Sequence, residues 1–300
     1  MRLSSTQIYQ QAVTAMLNNQ SKLAKTQLQL ATGKQILAPS DDPAASIQIL
    51  NLNQVIATTN QYQRNADFAE ARLVNEETVL TGVGDILQRI RELSVYANND
   101  ALNSADRKVV AVEVREHLNA LIQLANNKDA NGEYLFAGFK TDTQPFTDDG
   151  VGNFTYEGDQ GQRNIQIGSS RYVAVGDTGA DVFMQVDDGV GGNASMFDAV
   201  YDFITDLETN TPSSNTITRI DSAITVVSNT RSAIGSRINT IEGQKNTNDS
   251  FTLLLEDNRS SLQDLDYTEA ISRFEQQLLA LQASQQTFSR LEGLSLFNYL

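Results

Sequence analysis

Cysteine and tryptophan are both missing from this 300-residue chain, and histidine occurs once, at His117. Without cysteine, disulfides, thiolate metal sites and cysteine nucleophiles are excluded together. A single histidine rules out a multi-histidine metal centre and obliges any Ser-His-Asp hydrolase to be built around His117. No run of 18 apolar residues occurs, so no membrane-spanning helix is expected. The opening Met1-Arg2-Leu3-Ser4-Ser5 has no apolar h-region or small-residue cleavage site, and no cleaved secretory signal peptide is expected. Basic charge is in short supply, with 22 Lys and Arg against 37 Asp and Glu, a net −15. That balance argues against nucleic-acid binding, because phosphate contact needs a basic surface.

The length suggests about two domains, and the 40% hydrophobic content does not indicate wholesale disorder. Charge and glycine are unevenly placed. Residues 1–40 carry Arg2, Lys22, Lys25 and Lys34 and no acid. Residues 142–208 hold thirteen acids against Arg163 and Arg171, and ten of the 18 glycines fall between 139 and 196. Composition therefore marks a distinct central segment between two glycine-poor arms.

The arms read as helix. From Ala45 a 3-4 spacing passes through Leu52, Val55, Ala66, Ala69, Leu73, Leu80, Val83, Leu87, Ile90 and Ala97 without a slip. This is a coiled-coil-type seam on a helix roughly 80 Å long. Gly82 and Gly84 interrupt it and are candidates for a bend. A second helix is expected from an N-cap at Ser104, helped by Asp106, to about Asn131-Gly132, burying Val110, Val114, Leu121 and Leu124. Phe197, Val200, Ile204 and Leu207 predict a short helix ending before Pro212. The seam resumes at Ile217, Ile220, Ile224, Val227, Arg231, Ile234, Ile238 and Ile241. Its register is lost over the polar Gln244–Ser250 stretch and returns as Tyr267, Ile271, Phe274, Leu278, Leu281 and Phe288.

The first 37 residues have a narrower stripe: Tyr9, Met16, Leu23, Leu30 and Leu37, one every seven. So thin a stripe cannot stabilise a helix alone. The C-terminal seam matches it, so the two chain ends are expected to pair as antiparallel arms, with further packing in an assembly. The residues proposed to carry that assembly are Met16, Leu23, Leu30, Ile271, Phe274, Leu278, Leu281 and Phe288. Between the arms, Asn153–Glu157, Asn164–Ile167 and Arg171–Val175 read as strands separated by turns at Asp149-Gly150, Glu157-Gly158 and Asp188-Gly189. The fold class is thus mainly α with a small inserted β domain.

Several stretches taken together are diagnostic: Ala31-Thr32-Gly33-Lys34, Pro39-Ser40-Asp41-Asp42-Pro43-Ala44, Gly132-Glu133-Tyr134-Leu135-Phe136-Ala137-Gly138 and the ending Leu296-Phe297-Asn298-Tyr299-Leu300. The chain resembles the bacterial flagellin superfamily over its whole length, and its hook–filament junction branch more than filament flagellin. The resemblance implies nested domains: an inner coiled coil from 1–45 and 256–300, a helical rod from 46–138 and 197–255, and a solvent-facing insert at 139–196. It implies a structural protein of the extracellular flagellum, self-associating in a ring and joined to another hook-associated protein and to flagellin subunits. Export through the flagellar type III apparatus and a cytoplasmic export chaperone are implied as well. Filament flagellin is the alternative, and a secreted coiled-coil adhesin is a second class.

Other residue clusters have simpler explanations. His117 lies on the second helix with no hydrolase motif beside it and reads as structural. Asp41-Asp42 lacks the spacing of a calcium loop and reads as a turn, with Ser40 or Asp41 capping a helix that starts near Ala44. Asp187-Asp188-Gly189-Val190-Gly191-Gly192-Asn193 fails the calcium-loop pattern and reads as a solvated acidic loop. No metal, cofactor or catalytic residue is expected, and an enzyme is the least supported class.

Overall fold

A computed structural model describes residues 5–187, 191–211 and 213–292. In chain order the elements are helices α1 (Ser5–Thr32), α2 (Pro43–Ala97) and α3 (Ser104–Ala125), then strands β1 (Phe146–Asp148), β2 (Phe154–Tyr156), β3 (Asn164–Gln166) and β4 (Tyr172–Ala174). A short helix α4 (Gly179–Phe183), strands β5 (Val186–Asp187) and β6 (Asn193–Ala194), and helices α5 (Met196–Glu208), α6 (Ser214–Gln263) and α7 (Tyr267–Glu292) complete the chain. The fold is mainly helical with a small strand-containing insert and long terminal helices. It divides into two compact units: Thr59–Ser250, and the chain ends up to Thr58 and from Phe251.

In the Thr59–Ser250 unit the α2 seam is the core. Ala66, Ala69, Leu73, Leu80, Val83, Leu87, Ile90 and Ala97 are all fully buried. They join one apolar cluster with Val114 and Leu121 of α3, Val200, Ile204 and Leu207 of α5, and Ile220, Val227, Ile234 and Ile241 of α6. The seam positions nearer the N-terminus, 45–55, belong to the other unit and are not buried. The period is continuous along α2; its burial is not. α2 runs unbroken through Gly82 and Gly84. A side chain at Gly82 would sit 3.3 Å from Leu124 Cδ1, so glycine there admits α3 close to α2.

Two boundaries differ from the sequence reading. The cap of α3 is Asn103, whose side chain accepts from the amides of Ala105 and Asp106. An extended residue before the first turn is the one whose oxygen reaches those amides. The helix ends at Ala125, six residues early, because Asn126 turns its side chain to Phe146, accepting from its N–H and donating to its carbonyl. Leu124 is consequently half-buried, while Leu118 and Ala125 are buried. α5 matches expectation and is closed by a capping box: Phe197 N donates to Ser195 Oγ and Ser195 N to the Asp198 carboxylate.

The insert is three antiparallel hairpins, β1-β2, β3-β4 and β5-β6, with Phe146 opposite Tyr156, Ile165 opposite Val173 and Val186 opposite Ala194. Two-stranded ribbons of this length have no core of their own. Theirs is borrowed. Phe146 packs within 5.2 Å of Phe183 and of Phe197, and Phe183 stacks on Phe197 at 5.6 Å, ring centre to centre. The same cluster runs on into the helices. A wholly solvent-facing insert is therefore not what is found: Phe139 and Tyr172 are exposed, but Phe146, Phe154 and Phe183 are buried.

The polar Gln244–Ser250 stretch does not interrupt α6. Its side chains are docking groups. Buried Asn248 donates to the Ile167 carbonyl at 3.0 Å and accepts from Gln244 at 2.8 Å. Lys245 Nζ lies 2.8 Å from both Asp67 and Glu70 of α2.

Candidate assembly interface

In the terminal unit α1 packs along α7. Tyr9 meets Phe288 with ring centres 5.2 Å apart, Asn19 Nδ2 donates to Ser284 Oγ at 2.9 Å, and the backbones of Lys34 and Asp264 form an antiparallel bridge beyond the far end of α1. The pair is antiparallel. Met16, Leu23 and Leu30 on α1, and Phe274, Leu281 and Phe288 on α7, are half-buried. Ile271 and Leu278 are exposed, at 49% and 37%. The structure thus brings the two seams onto the same helix pair without burying either. Toward its C-terminal end α1 buries Thr26 and Gln29 instead of its leucines. Gln29 Nε2 donates to the Gln35 carbonyl at 2.6 Å. An apolar period cannot register such polar burial.

The Ala31-Thr32-Gly33-Lys34 and Pro39–Pro43 motifs form the turn that joins α1 to α2 and ties it to the α6–α7 junction. Gly33 closes α1 in the left-handed region at φ +69°, its amide donating to the Gln29 carbonyl. Leu265 N donates to the Gly33 carbonyl at 3.0 Å and Gln35 N to that of Gln263 at 2.8 Å. A Cβ at Gly33 would come within 2.9 Å of the Tyr267 hydroxyl. Asp41 accepts from Lys25 and from the amides of Leu37 and Ala38, which hold its carboxyl below the ordinary value. Asp42 caps α2, accepting from Ala45 N at 3.0 Å, with Pro43 at the first helical position. The cap is therefore Asp42, not Ser40 or Asp41. Only the residue immediately before Pro43 can reach the open amides of that turn.

His117 is half-buried, 3.8 Å from Glu113, which itself accepts from Arg89. Asp188, Gly189 and Val190 of the acidic loop, and the Leu296–Leu300 ending, lie outside the described residues.

The terminal unit leaves several large apolar side chains in water. Leu17, Leu28, Ile47, Leu50, Leu253 and Leu279 are each more than half exposed. Among the described residues of this unit, the buried hydrophobics are only Ile56, Leu255, Leu265 and Ala270. Full burial of a leucine is worth about 1.5–3 kcal/mol. With so few apolar side chains buried, the helices of this unit have apolar surface still to cover.

Comparison with known proteins agrees with that chemistry. Residues 3–141 match the bacterial flagellin N-terminal helical region and residues 217–300 the bacterial flagellin C-terminal helical region. Flagellar hook-associated protein 3 of Escherichia coli K12 is 31% identical, with 99% of each chain covered. The crystal structure of the flagellar junction protein FlgL from Legionella pneumophila superposes with a TM-score of 0.64 at 23% identity, over 74% of this chain and 100% of that one. A flagellin of Clostridium tyrobutyricum is 28% identical but spans 43% of this chain and 34% of its own. The full-length match is with the hook-associated protein and the partial one with the filament protein: this chain belongs to the flagellar hook-associated protein 3 family, among the flagellins.

Proposed function

We propose that the protein is a structural adaptor of the extracellular bacterial flagellum, a ring of subunits joining hook to filament through another hook-associated protein. The observation that carries this reading is the exposed apolar surface of the terminal unit. Leucines left in water on paired helices call for neighbours of the same kind. Met16, Leu23, Leu30, Ile271, Phe274, Leu278, Leu281 and Phe288 are the residues proposed to be covered when subunits meet.

The nested division given above is part of the proposal, with 1–45 and 256–300 innermost. So is a structural role without catalysis, and so is passage through the flagellar type III apparatus with a chaperone on the C-terminal coil. Incompletely covered apolar ends need such a chaperone before assembly, since they would otherwise pair prematurely. The test is immunolabelling of isolated flagella with an antibody to this chain. Label confined to the boundary between hook and filament is expected. Label along the whole filament would make the protein a filament flagellin and overturn the junction reading.

A further inference from the structure

Glu76 of α2 is 1% exposed, inside the core of the Thr59–Ser250 unit. Its Oε1 accepts from the Asp177 amide at 3.0 Å, and its Oε2 has no hydrogen-bond partner among the described residues. A buried carboxylate is stable only when paired and hydrogen-bonded. The cations near it are already engaged. Arg72, one turn earlier, is held by Asp129 at 2.8 Å and Glu133 at 3.2 Å. Arg237 of α6 pairs with the Asp177 carboxylate, and Arg163 lies 3.6 Å from Glu133. Four carboxyl groups (Glu76, Asp177, Asp129 and Glu133) thus share three guanidinium groups. The cluster balances when one carboxyl is neutral, and Glu76 is the most deeply buried of the four and the one without its own cation.

We propose that Glu76 is a protonation-dependent latch on the insert. As a neutral acid it lets the 176–178 segment lie bonded to α2 and α6. As an anion it faces Asp177, competes for Arg72 and Arg237, and loosens that segment. Burial, and then the Asp177 charge, push the Glu76 carboxyl up to about 8, against the Asp177 amide and the two arginines, which pull it down. The direction follows from linkage. A carboxyl raised in the folded chain adds stability that is complete below its unfolded pKa, drains as pH rises, and is gone above its folded pKa. The window here runs from about 4.5 to about 8.

The test uses the full chain. The Glu76 carboxyl is titrated by 13C NMR, and wild type and E76Q are unfolded in urea from pH 6 to 9.5. The amide keeps the acceptor for Asp177 N and cannot ionise. The Glu76 signal is expected to titrate near pH 8. The wild-type folding equilibrium should weaken relative to E76Q by about tenfold per pH unit up to that midpoint, then level off. Hydrogen-exchange protection of the Asp177 amide should fall over the same range. A Glu76 midpoint in the ordinary carboxylate range, or parallel curves for the two proteins, would overturn the latch. Should E76Q not fold, the wild-type midpoint and the Asp177 amide decide the matter alone.

Discussion

Replacing Leu278 and Leu281 by alanine separates what folds the chain from what assembles it. Leu87 supplies the control. It is fully buried on the α2 seam, and its truncation leaves a cavity among α2, α3, α5 and α6. L87A is expected to cost about 2–5 kcal/mol of stability. Leu278 is 37% exposed and Leu281 half-buried in the single chain. At about 1.5–3 kcal/mol for complete burial of a leucine, a side chain with a third of its surface in water has about 0.5–1 kcal/mol still to gain from a neighbour. Both leucines lie in the terminal unit, apart from the Thr59–Ser250 core that L87A cuts into. L278A/L281A is therefore expected to leave the main unfolding transition of the monomer within about 0.5 kcal/mol of wild type. In the assembly, where both sites are covered, each truncation should forfeit about 0.5–1 kcal/mol more per subunit than it costs the lone chain. The assay has two arms. Urea unfolding of purified monomer, followed by circular dichroism, reads folding. Recovery of the variant in flagella sheared from cells that lack the native copy reads assembly. The expected pattern is L87A weak in the first arm and L278A/L281A weak only in the second. Loss of the monomer transition in L278A/L281A comparable to that in L87A would place the C-terminal seam in the monomer core and refute the reasoning.

Excision of residues 139–196, with Gly138 joined to Phe197 by a short linker, is expected to abolish cooperative unfolding of the Thr59–Ser250 unit, because Phe136 and Phe197 share their cluster with Phe146 and Phe183. A thermal transition retained within a few degrees of wild type would show that the insert is dispensable. G33A should strain the left-handed turn and press on Tyr267, costing about 1–2 kcal/mol. Faster proteolysis between residues 33 and 42 is the readout, and unchanged cleavage would count against the turn's role. D42A removes the cap of α2 and should cost about 1 kcal/mol. The measurement is hydrogen exchange at Ala45 and Ser46, where equal protection in wild type and variant would contradict the assignment.

The long helices and their buried face were legible because the signal is periodic and local. Leu73, Leu80, Leu87 and Ile90 recur where a helix must turn an apolar stripe inward, and they are buried. The turn-and-cap nature of Asp41-Asp42 was legible from the flanking prolines, but the cap is Asp42, one or two residues past the expected Asp41 or Ser40, because caps depend on which oxygen reaches which amide. The central insert was recognisable by its glycines and aromatics. Its sharing of one core with the helices was not, because that depends on Phe146 meeting Phe197 across fifty residues of sequence. Thr26, Gln29 and Asn248 escaped notice for a related reason. Gln29 bonds to the carbonyl of Gln35 and Asn248 to that of Ile167 and to Gln244, side-chain contacts that an apolar period does not encode.

The α2 seam states the general limit most plainly. Ala45, Leu52 and Val55 keep the same spacing as Leu73, Leu80 and Leu87, on one unbroken helix. The first group is half-buried or exposed and the second fully buried. Spacing reports which face of a helix is apolar; only the arrangement of other helices determines whether that face is covered. Where α3 and α5 join α6 against that face, the chain covers its own stripe. At 45–55 α6 still reaches α2, Arg259 donating to Asn53, yet the face stays half-buried or exposed, and that uncovered length is where a further chain has apolar surface to gain.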